Sequence, residues 1–539
     1  MSGRELIKNA FKLKEIERVP WVPFVGCHGA SLIDKDAEEY LQSADLMIQG
    51  LEKAIELYKP DGLPVAFDLQ IEAEALGCKL QWAKNNPPAV VSHILSEKSL
   101  NNLKIPSEKD GRIPVVLEVA KTMRKNYPDI ALYGLITGPF TLALHLLGTD
   151  IFLKMYEAPE EVLELLKFTN EVAKAMAGYY IDSGCDVIAV VDPMTSQIDP
   201  SSFEMFISKP EKELFDLIRK KNALSSFFVC GHAQHNIELM CACKPDNVSI
   251  DENIPLEYVR DIALENEISF GGNMKLTVVL LMGSVDDVNQ ETIECMDRGG
   301  KRGFILAPGC DLPMQTPPEN LIAVTKLVHD TYQQDVVREI EKQEQTLELL
   351  NMKDYGHTDK IIVDIITLDS ESCAPCQYMV EAVKQVAPHF EGIVEWREHA
   401  IKKMESVTFM NSLMVKNIPT ICIDGKIVFV SKIPPRNDLI NAIQNRINEK
   451  LRLKISSKRA RIYVIGKSEK EFVQIRENIE TAIKETGRQL EVKYTTDKEM
   501  RLSFGISVTP AVVVADYKLK SQGEVPKVEI IREWIKELH

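Results

Sequence analysis

The stretch that decides the fold runs from ALYGLIT at 131–137, through EEVLELLKFTNEVAKAMAGYYIDSG at 160–184, to DVIAVVD at 186–192. Its two ends are short and apolar, as strands buried on both faces are. Its middle places apolar residues at helical spacing. A buried strand, a long helix and a second buried strand make a parallel crossover unit. The alternation extends outward in both directions. WVPFVG at 21–26 and LPVAF at 63–67 precede it, and LSSFFVC at 224–230, NVSID at 247–251, ISFGGN at 268–273 and GFILAPG at 303–309 follow it. Eight such runs predict an α/β chain whose residues 1–335 close into a TIM-like (β/α)8 barrel rather than an open sheet.

The charged segment QQDVVREIEKQEQTLELLNMKDYGHTDK at 333–360 ends this pattern. It predicts a linker helix over 336–357 that stops near Gly356. Two smaller α/β units are expected at 358–450 and 459–539. In each, a β-run is followed by a helix, a second β-run and a proline leading into a further β-run. IIVDIITL at 361–368 matches RIYVIG at 461–466, and NIPTICID at 417–424 matches SVTPAVVVAD at 507–516. RLKISSKRAR at 452–461 reads as a basic linker between the copies.

At 539 residues the chain is too long for one core, and 45% hydrophobic with 27% charged residues is ordinary for globular domains. A formal net charge of -16 argues against gripping nucleic acid or an anionic membrane surface. No run of eighteen apolar residues occurs, so no membrane span is expected. The first twenty residues lack the apolar core of a secretory signal. Eleven cysteines are too few for a disulfide scaffold, so they are expected as thiols in a reducing, cytoplasmic setting.

Cys373-Ala374-Pro375-Cys376 lies directly after a strand and before the helix QYMVEAVKQVA. A thiol at a helix N-terminus is expected to have a lowered pKa, because free N–H groups favour the thiolate. A bare CxxC is also half a zinc site, but this unit has no second pair at zinc spacing. The segment resembles the thioredoxin/glutaredoxin family over about 358–450, with Ile418-Pro419-Thr420 similar to that family's cis-proline loop. The resemblance implies Cys373 as attacking thiol and Cys376 as resolving thiol. In the second copy RIYVIG is followed by KSEKEF, with no cysteine, while Val508-Thr509-Pro510 keeps the proline pattern. That copy is expected to be a docking or structural module.

In a barrel the C-terminal ends of the strands carry the chemistry. Those ends hold Cys27 and His28, Asp68, Gly138, Asp192, Cys230, Asp251 with Glu252, Asn273, and Cys310. The remaining cysteines read as core residues (Cys78, Cys185, Cys295, Cys422) or a helix-end pair (Cys241, Cys243). His93, His145 and His329 read as surface or structural. Thr137-Gly138-Pro139-Phe140, Asp192-Pro193 with DPSSF at 199–203, Val229-Cys230-Gly231 and GFILAPGCDLPMQTPPENL at 303–321 resemble the uroporphyrinogen decarboxylase superfamily. Within it they are most similar to the cobamide-dependent methyltransferases. The resemblance covers essentially residues 1–335.

The resemblance implies a methyl transfer between a corrinoid protein, acting as partner, and a small acceptor. The acceptor is a thiol or a reduced pterin of the tetrahydrofolate type. It implies zinc held by a His-x-Cys pair and a distant Cys, which here are Phe228, Cys230 and Cys310. His232 and His235 are then the candidates to replace the missing histidine, and His28 sits at another strand end. His28, Asp68, Asp192 and Asn273 are candidates for binding the cofactor or acceptor, and Asp192 and Asn273 for catalysis beside Cys373 and Cys376. Barrels of this superfamily commonly pair, so a homodimer is expected. Two alternatives stay open. One is a thiol–disulfide oxidoreductase acting on a substrate in the barrel. The other is a porphyrinogen decarboxylase, disfavoured because PWVPFVGCH at 20–28 lacks the arginine that a polycarboxylate substrate needs.

Overall fold

The computed structural model describes the chain except for residues 340–349, 351, 353–354, 356–359, 372, 416, 459–461, 499–500, 502–505, 507, 515–517 and 539. The described residues form two compact units, Met1–Leu439 and Ile440–His539.

The first unit begins with the barrel. Its strands are β1 (Gly62–Pro64), β2 (Ala131–Thr137), β3 (Val187–Val191), β4 (Leu224–Val229), β5 (Asn247–Ile250), β6 (Ser269–Met274) and β7 (Phe304–Pro308). They pair in sequence order, and every pair is parallel. The expected first strand, 21–26, is reduced to a single bridge, Trp21 to Leu306. That short segment closes the ring. Val22 N donates to Leu306 O at 3.0 Å and Leu306 N to Pro20 O at 2.9 Å on one side, and Asp61 N donates to Trp21 O at 2.9 Å on the other. Three prolines and glycines within 20–26 leave too few amides for a longer ladder. The Asp61 carboxylate fixes the closure by accepting from Trp21 N at 2.9 Å and from both Arg18 Nη atoms at 2.6 and 2.7 Å.

The helix Gly3–Phe11 starts on a capping box between Ser2 and Glu5 and buries Leu6, Ile7, Ala10 and Phe11. These join Phe24, Phe67, Tyr133, Val187, Ala189, Phe228 and Ile305 in one core that fills the barrel from its N-terminal end. At that end, Asp186 gathers Arg4 at 2.7 Å, Lys8 at 3.1 Å and Arg124 at 2.5 Å. This cluster lies on the face of the barrel that serves stability rather than chemistry.

The same unit contains the first small α/β sheet, β8 (Ile361–Thr367), β9 (Val394–Ala400), β10 (Thr420–Ile423) and β11 (Lys426–Val430), in the order β9-β8-β10-β11. β8 and β9 are parallel and the other pairs antiparallel. The helix Ala374–Val386 follows β8, and the Ile418–Pro419 peptide is cis. The sheet is tied to barrel loops. Gln377 Nε2 donates to Val90 O at 2.8 Å, Asn86 Nδ2 to Glu371 at 2.7 Å, and Ile433 N to Gln197 Oε1 at 3.0 Å. Tyr378 is fully buried against the rings of His93 and His145, with centroids at 6.2 and 6.5 Å. His145, expected to be surface or structural, is buried at this seam.

The second unit repeats the topology with β12 (Ile462–Ile465), β13 (Val492–Thr495), β14 (Ala511–Val514) and β15 (Lys518–Gln522), ordered β13-β12-β14-β15. Its Thr509–Pro510 peptide is also cis. At the place of the dithiol it has a short turn, Glu469–Phe472, whose Phe472 joins the core. Residues 452–458, read as linker, are the last turns of the helix Arg436–Lys458. The expected linker helix is helical over Thr331–Glu339, and its end near Gly356 lies outside the described residues.

Candidate functional site

Strands β4 and β7 deliver the two barrel thiols that matter. Cys230 follows β4 and Cys310 follows β7, and their sulfurs lie 3.0 Å apart. Both pack on top of the aromatic plug that includes Phe67 and Phe228. Asp251, at the end of β5, holds this arrangement. Its Oδ2 accepts from Gly231 N at 2.6 Å and from Asn253 Nδ2 at 2.7 Å, while Oδ1 accepts from Asn253 N at 3.0 Å. The carboxylate therefore fixes the backbone directly after Cys230. Burial pushes its pKa up to about 6.

Above the thiols opens a cavity of about 1140 Å³, counted out to open solvent. Cys27, Asp68, Cys230, Asp251, Glu252, Cys310 and Asp311 line it from the barrel, and Cys373, Cys376, Lys402 and Pro419 line it from the small sheet. Five cysteines, Cys27, Cys230 and Cys310 from the barrel and Cys373 and Cys376 from the small sheet, thus share one space. Cys373 is partly exposed and caps the helix Ala374–Val386, whereas Cys376 is fully buried and its sulfur accepts from Leu368 N at 3.4 Å.

The expectation of a lowered Cys373 pKa is corrected by this setting. The hydrogen bond with Cys376 and burial at the covered mouth raise it well above the usual thiol value, and only the Cys376 amide at the helix start acts the other way. Cys230 is also held high, first by its contact with Cys310 and then by burial. Cys230 and Cys373 therefore rest as thiols.

Glu252 is the group poised for proton transfer. Its Oε1 accepts from Leu276 N at 3.2 Å, while its buried Oε2 has no hydrogen-bond partner. A Cβ built on Gly309 would meet Oε2 at 2.3 Å, which places that oxygen beside the residue preceding Cys310. Burial, and then the neighbouring Asp251, push its pKa up to about 8. An acid tuned near neutrality inside a cavity fits a general base.

The structure sorts the other sequence candidates. Asp68 lines the cavity, with Oδ2 accepting from Arg112 Nη1 at 2.6 Å and Oδ1 from Gln70 N at 2.9 Å. Asp192 does not line it. Its Oδ1 accepts from Thr141 N at 2.8 Å and Thr141 Oγ1 at 2.6 Å, and its Oδ2 from Phe140 N at 2.9 Å. It therefore caps the helix Pro139–Leu147, a structural task in place of the expected catalytic one. Asn273 is likewise spent on the backbone, donating to Asp251 O at 3.2 Å and Ile254 O at 2.9 Å. His28 is fully buried outside the cavity. Its Nδ1 donates to Met314 O at 3.2 Å and its Nε2 accepts from Tyr58 at 2.7 Å, while burial lowers its pKa to about 4.

The donor set does not fit a zinc centre. Phe228 occupies the third ligand position implied by the resemblance, and its ring packs against Phe24 and Phe67 at 5.2 and 6.0 Å. His235 is exposed and its Nε2 donates to Ile198 O at 2.9 Å. Among the described residues no group of three His, Cys, Asp or Glu side chains is placed to hold a metal, so neither His232 nor His235 completes a set with Cys230 and Cys310.

Three lining residues carried no signal in the sequence reading. Asp311 was legible only as the neighbour of Cys310. It is half-buried, burial of its carboxyl drives its pKa well above the usual carboxylate range, and a Cβ on Gly26 would lie 2.3 Å from its Oδ1, so a larger residue there would displace the carboxyl. Asn86 lies in a loop and Lys402 beyond the end of β9, and they meet only when the small sheet lies on the barrel. Lys402 Nζ donates to Asn86 Oδ1 and to Asp369 Oδ2.

Comparison with known proteins agrees with this architecture. The sequence model of the uroporphyrinogen decarboxylase (URO-D) family matches residues 2–331, and that of a thioredoxin domain matches 461–536. The methylcobamide:CoM methyltransferase MtbA of Methanosarcina acetivorans is 25% identical over 326 residues, which are 59% of this chain and 95% of the relative. The uroporphyrinogen decarboxylase of Trichodesmium erythraeum is 25% identical over 292 residues, 52% of this chain and 81% of the relative. A solved methyltransferase structure from Methanosarcina mazei, 24% identical, superposes with a TM-score of 0.57 over 63% of this chain and 99% of its own, and shares the fold. With the family model spanning 2–331, the whole barrel from its plugging helix to the helix after β7, the chain belongs to the uroporphyrinogen decarboxylase family.

Proposed function

We propose that the protein is a corrinoid-dependent methyltransferase that moves a methyl group between a partner methyl-corrinoid protein and a small acceptor bound at the barrel mouth. The observation that carries this reading is the Cys230/Cys310 pair on the floor of the cavity, in a barrel that aligns with 95% of a methylcobamide:CoM methyltransferase. A methyl group carried on cobalt leaves as a methyl cation equivalent, so the acceptor must present a lone pair. Glu252 takes the acceptor's proton, as its free oxygen and raised pKa suit it to do. Asp251 keeps Cys230 in place through the Gly231 amide.

The acceptor is a thiol or a reduced pterin of low charge. Lys402 is the cation among the described lining residues, and it is already engaged by Asp369 and Asn86. Four carboxylates, Asp68, Asp251, Glu252 and Asp311, share the wall with it. A polycarboxylate porphyrinogen would be left short of cationic partners among the described lining residues, so the decarboxylase reading is not favoured.

One observation favours a second reading. The Cys373/Cys376 dithiol lines the same cavity, which suits a thiol–disulfide oxidoreductase acting on a bound substrate. The two readings separate in one experiment. The full-length protein is incubated with methylcobalamin and, in turn, a low-mass thiol and tetrahydrofolate, and demethylation is followed by absorbance. Methyl transfer predicts turnover that falls about a hundredfold or more in Glu252→Gln, the usual scale for a lost general base. No turnover with either acceptor, together with reduction of a low-mass disulfide that is lost in Cys373→Ser, would replace it with the second reading.

A further inference from the structure

We propose that the protein performs thiol–disulfide exchange within its own chain: the Cys373/Cys376 dithiol reduces a disulfide formed between Cys230 and Cys310. The inference goes beyond the methyl-transfer reading and does not depend on it, because it is tested by bond connectivity rather than by turnover.

The geometry favours such an exchange. The barrel sulfurs are 3.0 Å apart, and a disulfide needs them to close to about 2.05 Å, a small movement for two partly exposed residues following strand ends. Cys373 is the accessible member of the dithiol and Cys376 the buried one, which sets the order of attack. All four line a single cavity. A charge on Cys373 is felt at Cys230, and one on Cys310 at Cys373, so the pairs are in electrostatic contact across it. The bonds from Gln377, Glu371 and Ile433 to the barrel hold the dithiol over the mouth. Its local concentration at the barrel pair therefore reaches the millimolar range or above without a separate binding step.

The exchange balances within the chain. A small peroxide or a low-mass disulfide oxidises Cys230 and Cys310 to the disulfide. Cys373, as thiolate, attacks one sulfur of that bond. A bond from Cys373 to that cysteine forms, the Cys230–Cys310 bond breaks, and the released sulfur takes up the proton that Cys373 lost. Cys376, as thiolate, then attacks the Cys373 sulfur. The Cys376–Cys373 bond forms, the mixed bond breaks, and the second barrel sulfur leaves and is protonated. The barrel pair gains two electrons and two protons, and the dithiol loses them.

The test uses the full-length protein and Cys376→Ser and Cys373→Ser variants, each given one equivalent of diamide, then alkylated and mapped by mass spectrometry without reduction. The expected wild-type product is a Cys373–Cys376 disulfide with Cys230 and Cys310 alkylated. Cys376→Ser should stop at a mixed disulfide between Cys373 and a barrel cysteine. Cys373→Ser, at a partly exposed position, should keep the Cys230–Cys310 disulfide about tenfold longer than wild type or more. Equal persistence of the barrel disulfide in wild type and Cys373→Ser, with no mixed disulfide in Cys376→Ser, would overturn the proposal.

Discussion

Cys230 and Cys310, eighty positions apart in sequence, bring their sulfurs to 3.0 Å at the mouth of the barrel. The contact follows from parallel strands that all end on one face, so the residues after β4 and β7 converge. It also sets the chemistry of Cys230. The hydrogen bond to Cys310 and burial favour the protonated thiol, so the thiolate fraction of Cys230 at neutral pH is small.

Alkylation of Cys230 by iodoacetamide should therefore be slow at pH 7 and should keep rising beyond pH 9. Removing the leading cause with Cys310→Ser should speed it at pH 8, because a serine hydroxyl can donate to the Cys230 thiolate. The measurement is the pH profile of site-specific modification by peptide mapping. A profile unchanged by Cys310→Ser would show that burial alone sets the reactivity.

Phe228 should behave as a core residue. Its ring packs against those of Phe24 and Phe67, which also touch each other, and it is 1% exposed. Phe228→Ala should cost about 3–5 kcal/mol of unfolding free energy, the range for a buried aromatic truncated where the surroundings cannot collapse. Denaturant unfolding checks it. A cost well under 1 kcal/mol would mean that the aromatic plug beneath the thiols is loosely packed.

The fate of Phe228 shows what the sequence could and could not convey. The apolar strands at 131–137 and 186–192 were legible because burial on both faces writes itself as an uninterrupted apolar run. The segment at 21–26 reads as a full strand from its apolar residues, but Pro23 and Gly26 remove the ladder while those residues still fill the core. Cys230 and Cys310 were legible as strand-end residues. Asp192 and Asn273 sit at equivalent ends, yet their hydrogen bonds turn to the backbone, and nothing in a one-dimensional pattern distinguishes a carboxylate facing a cavity from one capping the next helix. Lys402 and Asn86 were silent because their meeting depends on how the small sheet lies on the barrel.

Asp199 offers a test of local stability at a helix cap. It caps the helix Pro200–Phe206, accepting from Ser201 N and Ser202 N at 3.0 Å each. The Ser201 and Ser202 hydrogen bonds lower its pKa to about 2. Asp199→Ala should cost about 1 kcal/mol at pH 6. A lowered folded pKa gives stability that is present above the usual value of 3.8 and is lost as pH falls toward 2. The gap between wild type and variant should accordingly narrow in urea unfolding as pH drops below about 4. A constant gap would assign the cap to its neutral hydrogen bonds alone.

Glu252 should govern a pH dependence of the opposite sign. Its usual pKa of 4.5 is raised to about 8 in the folded protein, first by burial. Between those values the native state holds a proton that the unfolded chain has released, so stability falls as pH rises from about 4.5 to 8. Asp251 at about 6 and Glu72 at about 7 contribute slopes of the same sign, whereas His28, lowered to about 4, contributes the opposite sign below its usual value of 6.5, so the weakening of the wild type should be clearest above that value. Glu252→Gln removes its share without changing side-chain shape. The variant should therefore lose less stability than wild type between pH 5 and 8, in unfolding followed at fixed ionic strength. Its methyl-transfer rate should also lose the inflection near pH 8 that deprotonation of Glu252 gives the wild type. A variant with a flatter stability profile but an unchanged rate profile would keep Glu252 as a buried acid and remove it from the reaction. One with parallel stability profiles would mean that the carboxyl is hydrated in the folded state, and would withdraw it as the base.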